Sequence, residues 1–141
     1  MEKNLNLKAE VINGLGILQL AYMGDAVIEL FARRELLLYG NFQPGRLTKM
    51  AKGYVTCEAQ SDAVERIIPM LTPDEESVFK RGRNAKTHHV PSHGELIQYK
   101  RATGFEALMG YLFLSGSEDR ASELFSAAYD GTAKSMIEKI K

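Results

Sequence analysis

The chain has 141 residues, 45% of them hydrophobic, which fits one domain with apolar side chains enough for a core. No apolar run approaches the ~18 residues of a membrane-spanning helix, and the opening MEKNLNLKAEV lacks the apolar stretch of a secretory signal. The single Cys57 excludes an internal disulfide framework and suits a reducing cytoplasm, while zero net charge argues against a general nucleic-acid binder.

Helical spacing dominates the chain, and no stretch alternates with the period of two that a half-buried strand needs. The first long helix is expected from near Gly14 to Leu38, closed by Gly40. After Pro44 a second helical region runs from Leu47 to about Met70, with an interruption near Thr56. The next start is sharply marked. Thr72 can cap, Pro73 fits the first helical position, and Glu75 completes a T-x-x-E capping box for a helix toward Arg83 or Lys86. Residues 84–94, NAKTHHVPSHG, have the composition of a loop. Helical spacing resumes from Glu95 to Leu114 and stops at Gly116. Ser117 can cap an amphipathic helix through Leu124, Phe125 and Tyr129, stopped by Gly131, and Ala133–Ile140 can form a short last helix. The expectation is one all-α domain over residues 1–141.

Two acids stand where packing alone would not put them. Asp25 lies in LQLAYMGDAVIELF and Glu106 in ATGFEALMGYLFL, both of which read as buried helices rich in small residues. Neither has a Lys or Arg three or four residues away on its own helix. A buried carboxylate without a partner is strongly unfavourable, so each needs a cation, a hydrogen-bonding shell or a metal. The small flanking residues would let the two helices approach closely, and Mg²⁺ suits a site of one or two carboxylates completed by water and phosphate oxygens. The competing reading is a pair of core acids satisfied by backbone donors, tyrosine hydroxyls or a remote Arg. Glu29 is assigned to a helix salt bridge with Arg33, and Asp74, Glu75 and Glu76 to a helix N-terminus. Cys57 reads as a small core residue, and His88, His89 and His93 form no familiar zinc spacing with it.

Charge is unevenly spread. Six of the eighteen cations and one of the eighteen acids fall between Lys80 and Arg101, leaving twelve cations against seventeen acids elsewhere. Lys80, Arg81, Arg83, Asn84, Lys86, Lys100 and Arg101 are the candidate phosphate contacts of this segment; the alternative is a solvated loop.

LAYMGDAVIELFARREL resembles the first catalytic helix of the ribonuclease III family, and ATGFEALMGYLFLSG its second acidic helix. With KRGRNAK between them, the chain resembles the short, single-domain branch, Mini-ribonuclease III, over about Leu15 to Gly131. The resemblance implies a ribonuclease III-type helical bundle and an endoribonuclease that hydrolyses phosphodiesters of double-stranded RNA. It further implies maturation of large-subunit ribosomal RNA precursor, and no double-stranded-RNA-binding domain after the catalytic helices. Asp25 falls on the family's essential aspartate and Glu106 on its essential glutamate, which implies a Mg²⁺ cofactor held by both. Ala21 and Thr103 stand where relatives generally carry two more acids, so the implied acidic cluster is reduced to two members. A homodimer packed through its first catalytic helices is also implied, with Leu18, Tyr22, Val27, Ile28, Leu30 and Phe31 covering more than one face of that helix. Two other classes compete: a non-catalytic ribonuclease III-like module that binds structured RNA or a ribosomal partner, and an all-helical interaction protein with purely structural acids.

Overall fold

A computed structural model describes residues 7–86 and 93–139. Eight α-helices follow one another: α1 Ala9–Gly14, α2 Ile17–Tyr39, α3 Pro44–Val55, α4 Cys57–Ile67, α5 Pro73–Arg83, α6 His93–Leu114, α7 Glu118–Ala128 and α8 Thr132–Lys139. No strand occurs among the described residues, so the fold is all-α. The helix expected from near Gly14 starts at Ile17, because Leu15 and Gly16 are extended and the Gln19 side chain accepts from the Gly16 N–H at 2.7 Å, and the short α1 before it is unanticipated. The interruption expected near Thr56 falls on Thr56 itself. Its backbone is extended and its hydroxyl accepts from the Ala59 N–H at 3.2 Å, which ends α3 and caps α4. Pro44 occupies the first position of α3, and a single 3₁₀ turn, Ile68–Met70, follows α4.

The capping box of α5 forms as its sequence requires, with Thr72 and Glu75 bonding reciprocally at 2.9 and 3.3 Å. Glu75 does more than cap. It is buried and takes two hydrogen bonds of 2.9 Å from Arg120 of α7, which hold its carboxyl below the ordinary carboxylate range. At the end of α6, Gly116 takes φ 83° while Gly116 and Ser117 return N–H bonds to Phe113 and Leu112. Ser117 then precedes α7 without a side-chain capping bond; the expected cap is replaced by this backbone turn.

Helix α6 is the axis of the molecule, packed by α2, α5, α4 and α7. Ala102, Phe105, Ala107, Leu108, Met109 and Leu112 are all buried, as a helix apolar on every side must be. Phe31, Tyr54, Phe125 and Tyr129 form an aromatic cluster beside it, with ring centroids 4.7–5.8 Å apart. No helix among the described residues is long and apolar enough to cross a membrane.

Candidate active site

Two glycines decide where the acids go. A Cβ added to Gly24 would stand 1.6 Å from the Glu106 carbonyl oxygen, and one added to Gly110 would stand 2.0 Å from that of Leu20. Helices α2 and α6 therefore touch backbone to backbone, and only glycine permits that approach. Asp25 follows Gly24, so the contact that seats Gly24 on Glu106 also brings the two acids together. Their side chains hydrogen-bond to one another.

The structure corrects the picture of two equally buried carboxylates. Asp25 is exposed, whereas Glu106 is partly buried at the foot of the crossing. A helix that packs tightly on one face still turns a neighbouring residue to solvent, and Asp25 sits at that edge. Burial first, then the hydrogen bond and charge of Asp25, push the Glu106 carboxyl up to about 8. No Lys or Arg among the described residues forms an ion pair with either acid. The two buried tyrosine hydroxyls are engaged elsewhere: Tyr54 donates to Glu35, and Tyr129 donates to the Tyr54 carbonyl at 2.7 Å. The pair is short of positive charge.

Glu106 is felt at a distance. Burial pushes up the Tyr129 hydroxyl, and the Glu106 charge adds to that shift. Cys57 opens α4, which packs on α6; its thiol is pushed up by lost solvation and then by Glu106. The reading of Cys57 as a core residue is wrong, because it is exposed at a helix start next to its cap.

The two positions that lack acids are filled in ways that leave no third ligand. Ala21 is buried in a small apolar cluster with Ile12, Leu20, Val78 and Ala107. Thr103 is buried and donates its hydroxyl to the Tyr99 carbonyl at 2.9 Å. Among the described residues no group of three or more His, Cys, Asp or Glu is arranged to hold a metal. Two carboxylates remain, and that donor set fits a hard divalent cation that keeps most of its water. Glu29 is engaged as expected, by Arg33 at 2.6 Å.

The candidate RNA contacts divide. Lys80, Arg81 and Asn84 line one open groove of about 720 Å³ with Ile17, Pro73, Ser77 and the acid Glu76. Lys80 is also bridged to Glu76 at 2.6 Å, and Arg83 lies over the Phe79 ring and donates to Asn84 at 3.3 Å. Lys86 is exposed and Lys100 half-buried. Arg101 turns away toward α4, where it meets Glu65 at 3.6 Å. His88 and His89 lie outside the described residues, as does the side chain of His93.

The Ribonuclease III domain family matches residues 18–117, which include both acids. The chain belongs to the ribonuclease III family. It is similar to the Mini-ribonuclease 3 of Symbiobacterium thermophilum, 44% identical over 80% of this chain and 87% of that one. The Mini-ribonuclease 3 of Enterococcus faecalis is 42% identical over 82% of this chain and 86% of its own. A crystal structure of a Fusobacterium nucleatum protein superposes with a TM-score of 0.74 at 30% identity, covering 85% of this chain and 96% of that one. These likenesses place the chain in the Mini-ribonuclease III branch and make it an endoribonuclease.

Proposed function

We propose that this endoribonuclease cuts double-stranded RNA in a Mg²⁺-dependent reaction, with Asp25 and Glu106 as its metal-holding catalytic residues in a single domain. One observation carries the reading: two carboxyls share a hydrogen bond at a glycine-sealed crossing, with Glu106 pushed up to about 8 and no described cation beside them. A fold that keeps such a pair without a cation is arranged to receive one. When bound there, Mg²⁺ would supply the Lewis acid that activates water for in-line displacement at phosphorus. The chain's own residues do the rest. Glu106 releases its proton to become a ligand, exposed Asp25 faces the substrate side, and Lys80, Arg81 and Asn84 hold the RNA backbone. Arg83, Lys86, Lys100 and Arg101 extend the same segment as further candidate contacts. Membership of the short branch points to large-subunit ribosomal RNA precursor as the substrate, and an RNA of that kind puts the enzyme in the cytoplasm.

The test is cleavage of a long RNA duplex with Mg²⁺, beside Asp25→Asn and Glu106→Gln. Each variant should lose on the order of 10²–10³ in rate, the scale for removing a group that stabilises transition-state charge. Wild-type rates in either variant would sink the assignment, and intact duplex with a gel shift would favour a binding module.

The same reading includes a homodimer. Val27, Ile28 and Phe31 of α2 are buried, but Leu18, Tyr22, Leu30 and Leu37 are 52–83% exposed, and exposed Ala26 continues their stripe. Apolar side chains left open along a central helix mark an association surface. Two-fold packing through this stripe would bring the Asp25 edges of two copies alongside one another. Equilibrium sedimentation should give a dimer that Tyr22→Asp converts to monomer. A monomeric wild type at micromolar concentration would refute it.

A further inference from the structure

One buried donor goes unanswered. Gln60 of α4 is 2% exposed, and its Nε2 is the one buried side-chain nitrogen or oxygen, among the described residues, without a hydrogen-bond partner. Ala63, Val64 and Ile67, which continue its face of α4 into the core, are apolar and offer it no acceptor. A buried amide left unpaired costs folding free energy, so an unpaired donor in an otherwise satisfied core calls for a reason outside packing.

The position of Gln60 supplies one. Helix α4 packs on α6, the helix of Glu106. Cys57, one turn before Gln60, lies within the field of the Glu106 charge. The Tyr129 hydroxyl feels the same charge, and it donates to the Tyr54 carbonyl just ahead of α4. Two groups beside the first turn of α4 thus sense Glu106, and Gln60 is the one buried side chain of that turn. The Glu106 carboxyl, for its part, bonds to Asp25 and pairs with no described Lys or Arg. A carboxylate has room for several hydrogen bonds, and one that ligates a metal is itself held by outer groups. A neutral amide suits that task better than Lys or Arg, because it orients the carboxylate without cancelling the charge that attracts the metal.

We infer that Gln60 is a positioning residue of the active site, its side-chain amide donating to the Glu106 carboxylate when that carboxylate serves as a metal ligand. This rests on the nuclease reading above. Gln60 touches neither RNA nor the reacting atoms, and it acts through Glu106 alone.

The test replaces Gln60 by Met, which keeps the length of the side chain and removes the donor. A glutamine kept for folding would cost stability when replaced, whereas an unpaired donor should not, so the urea midpoint of Gln60→Met should equal or exceed that of wild type. Mg²⁺ affinity, measured by calorimetry without RNA, should weaken about tenfold or more, the scale for losing an outer partner of a metal ligand. In wild type the Gln60 side-chain amide resonances, identified by their absence from Gln60→Met, should shift on Mg²⁺ addition and stay still in Glu106→Gln. An Mg²⁺ affinity unchanged in folded Gln60→Met, while Asp25→Asn loses it, overturns the role of Gln60 and leaves the nuclease reading standing. Gln60 resonances that Mg²⁺ does not move overturn it equally, and they decide the matter if Gln60→Met fails to fold. If Asp25→Asn and Glu106→Gln both bind Mg²⁺ as wild type does, both readings fall together.

Discussion

Helix α6 is crossed twice at glycine, and the two crossings end differently. Against α2, Gly24 and Gly110 face the carbonyl oxygens of Glu106 and Leu20. Against α5, Gly82 faces the Cα of Gly104 and the Cβ of Ala107, while Gly104 faces Phe79. The first crossing delivers a pair of acids, and the second delivers Lys80, Arg81 and Asn84 on the open side of α5. Removing side chains from a helix interface costs packing, yet here it lets Asp25 and Glu106 meet with Asp25 exposed and Glu106 partly buried. The α2 contact is the tighter, and its neighbours are backbone atoms that cannot swing aside.

That difference sets the largest expected effect. Gly24→Ala should force α2 and α6 apart, since the new Cβ meets the Glu106 carbonyl oxygen at 1.6 Å and its carbon at 2.4 Å. Alanine favours a helix over glycine by about 1 kcal/mol, so the overpacking term must exceed that gain. A net loss of about 3 kcal/mol is expected from overpacking of this kind, with cleavage abolished because the acids no longer meet. Gly82→Ala meets Gly104 Cα at 2.8 Å and Ala107 Cβ at 2.9 Å. It should lose only about 1–2 kcal/mol, keep measurable cleavage, and bind duplex less tightly. Urea denaturation midpoints with single-turnover cleavage rates compare the two. Equal losses of stability and rate would break the distinction between the crossings.

Local chemistry was readable where a few neighbouring residues decide it. Thr72, Pro73 and Glu75 specify the start of α5, and Gly116 the end of α6, because caps are made within one turn. The convergence of Asp25 and Glu106 could be anticipated from small residues around both, and family membership agrees with it. What spacing could not assign was which apolar residues would be covered. Leu18, Tyr22 and Leu30 share the helical period with Val27, Ile28 and Phe31, yet only the latter three are buried. Periodicity records a face and says nothing of what lies against it. Asp25 was read as buried for the same reason. The Glu75–Arg120 link joins residues 45 apart, beyond any local rule.

The smallest effect probes the acid crossing without changing a side chain. A carboxyl that the fold keeps protonated holds a proton which the unfolded chain has released above its ordinary value near 4.5. The folded state therefore binds more protons between about pH 4.5 and 8, and the metal-free protein should lose stability as pH rises through that window. The effect on melting is a gradual fall in Tm from pH 5 to 8, which Glu106→Gln should flatten. Mg²⁺ opposes it, because a cation favours the ionised carboxyl that the fold alone resists. With one proton released per ion bound, the Mg²⁺ concentration at half-maximal cleavage should rise roughly tenfold for each pH unit below about 8. At the start of α5, Glu75 is held low by Arg120 of α7, so its contribution is complete above its ordinary value and is lost only in acid. A Tm flat from pH 5 to 8 in wild type, or a fall that survives Glu106→Gln, would mean that the carboxyl at the α2 crossing is no more strained than the one at α5.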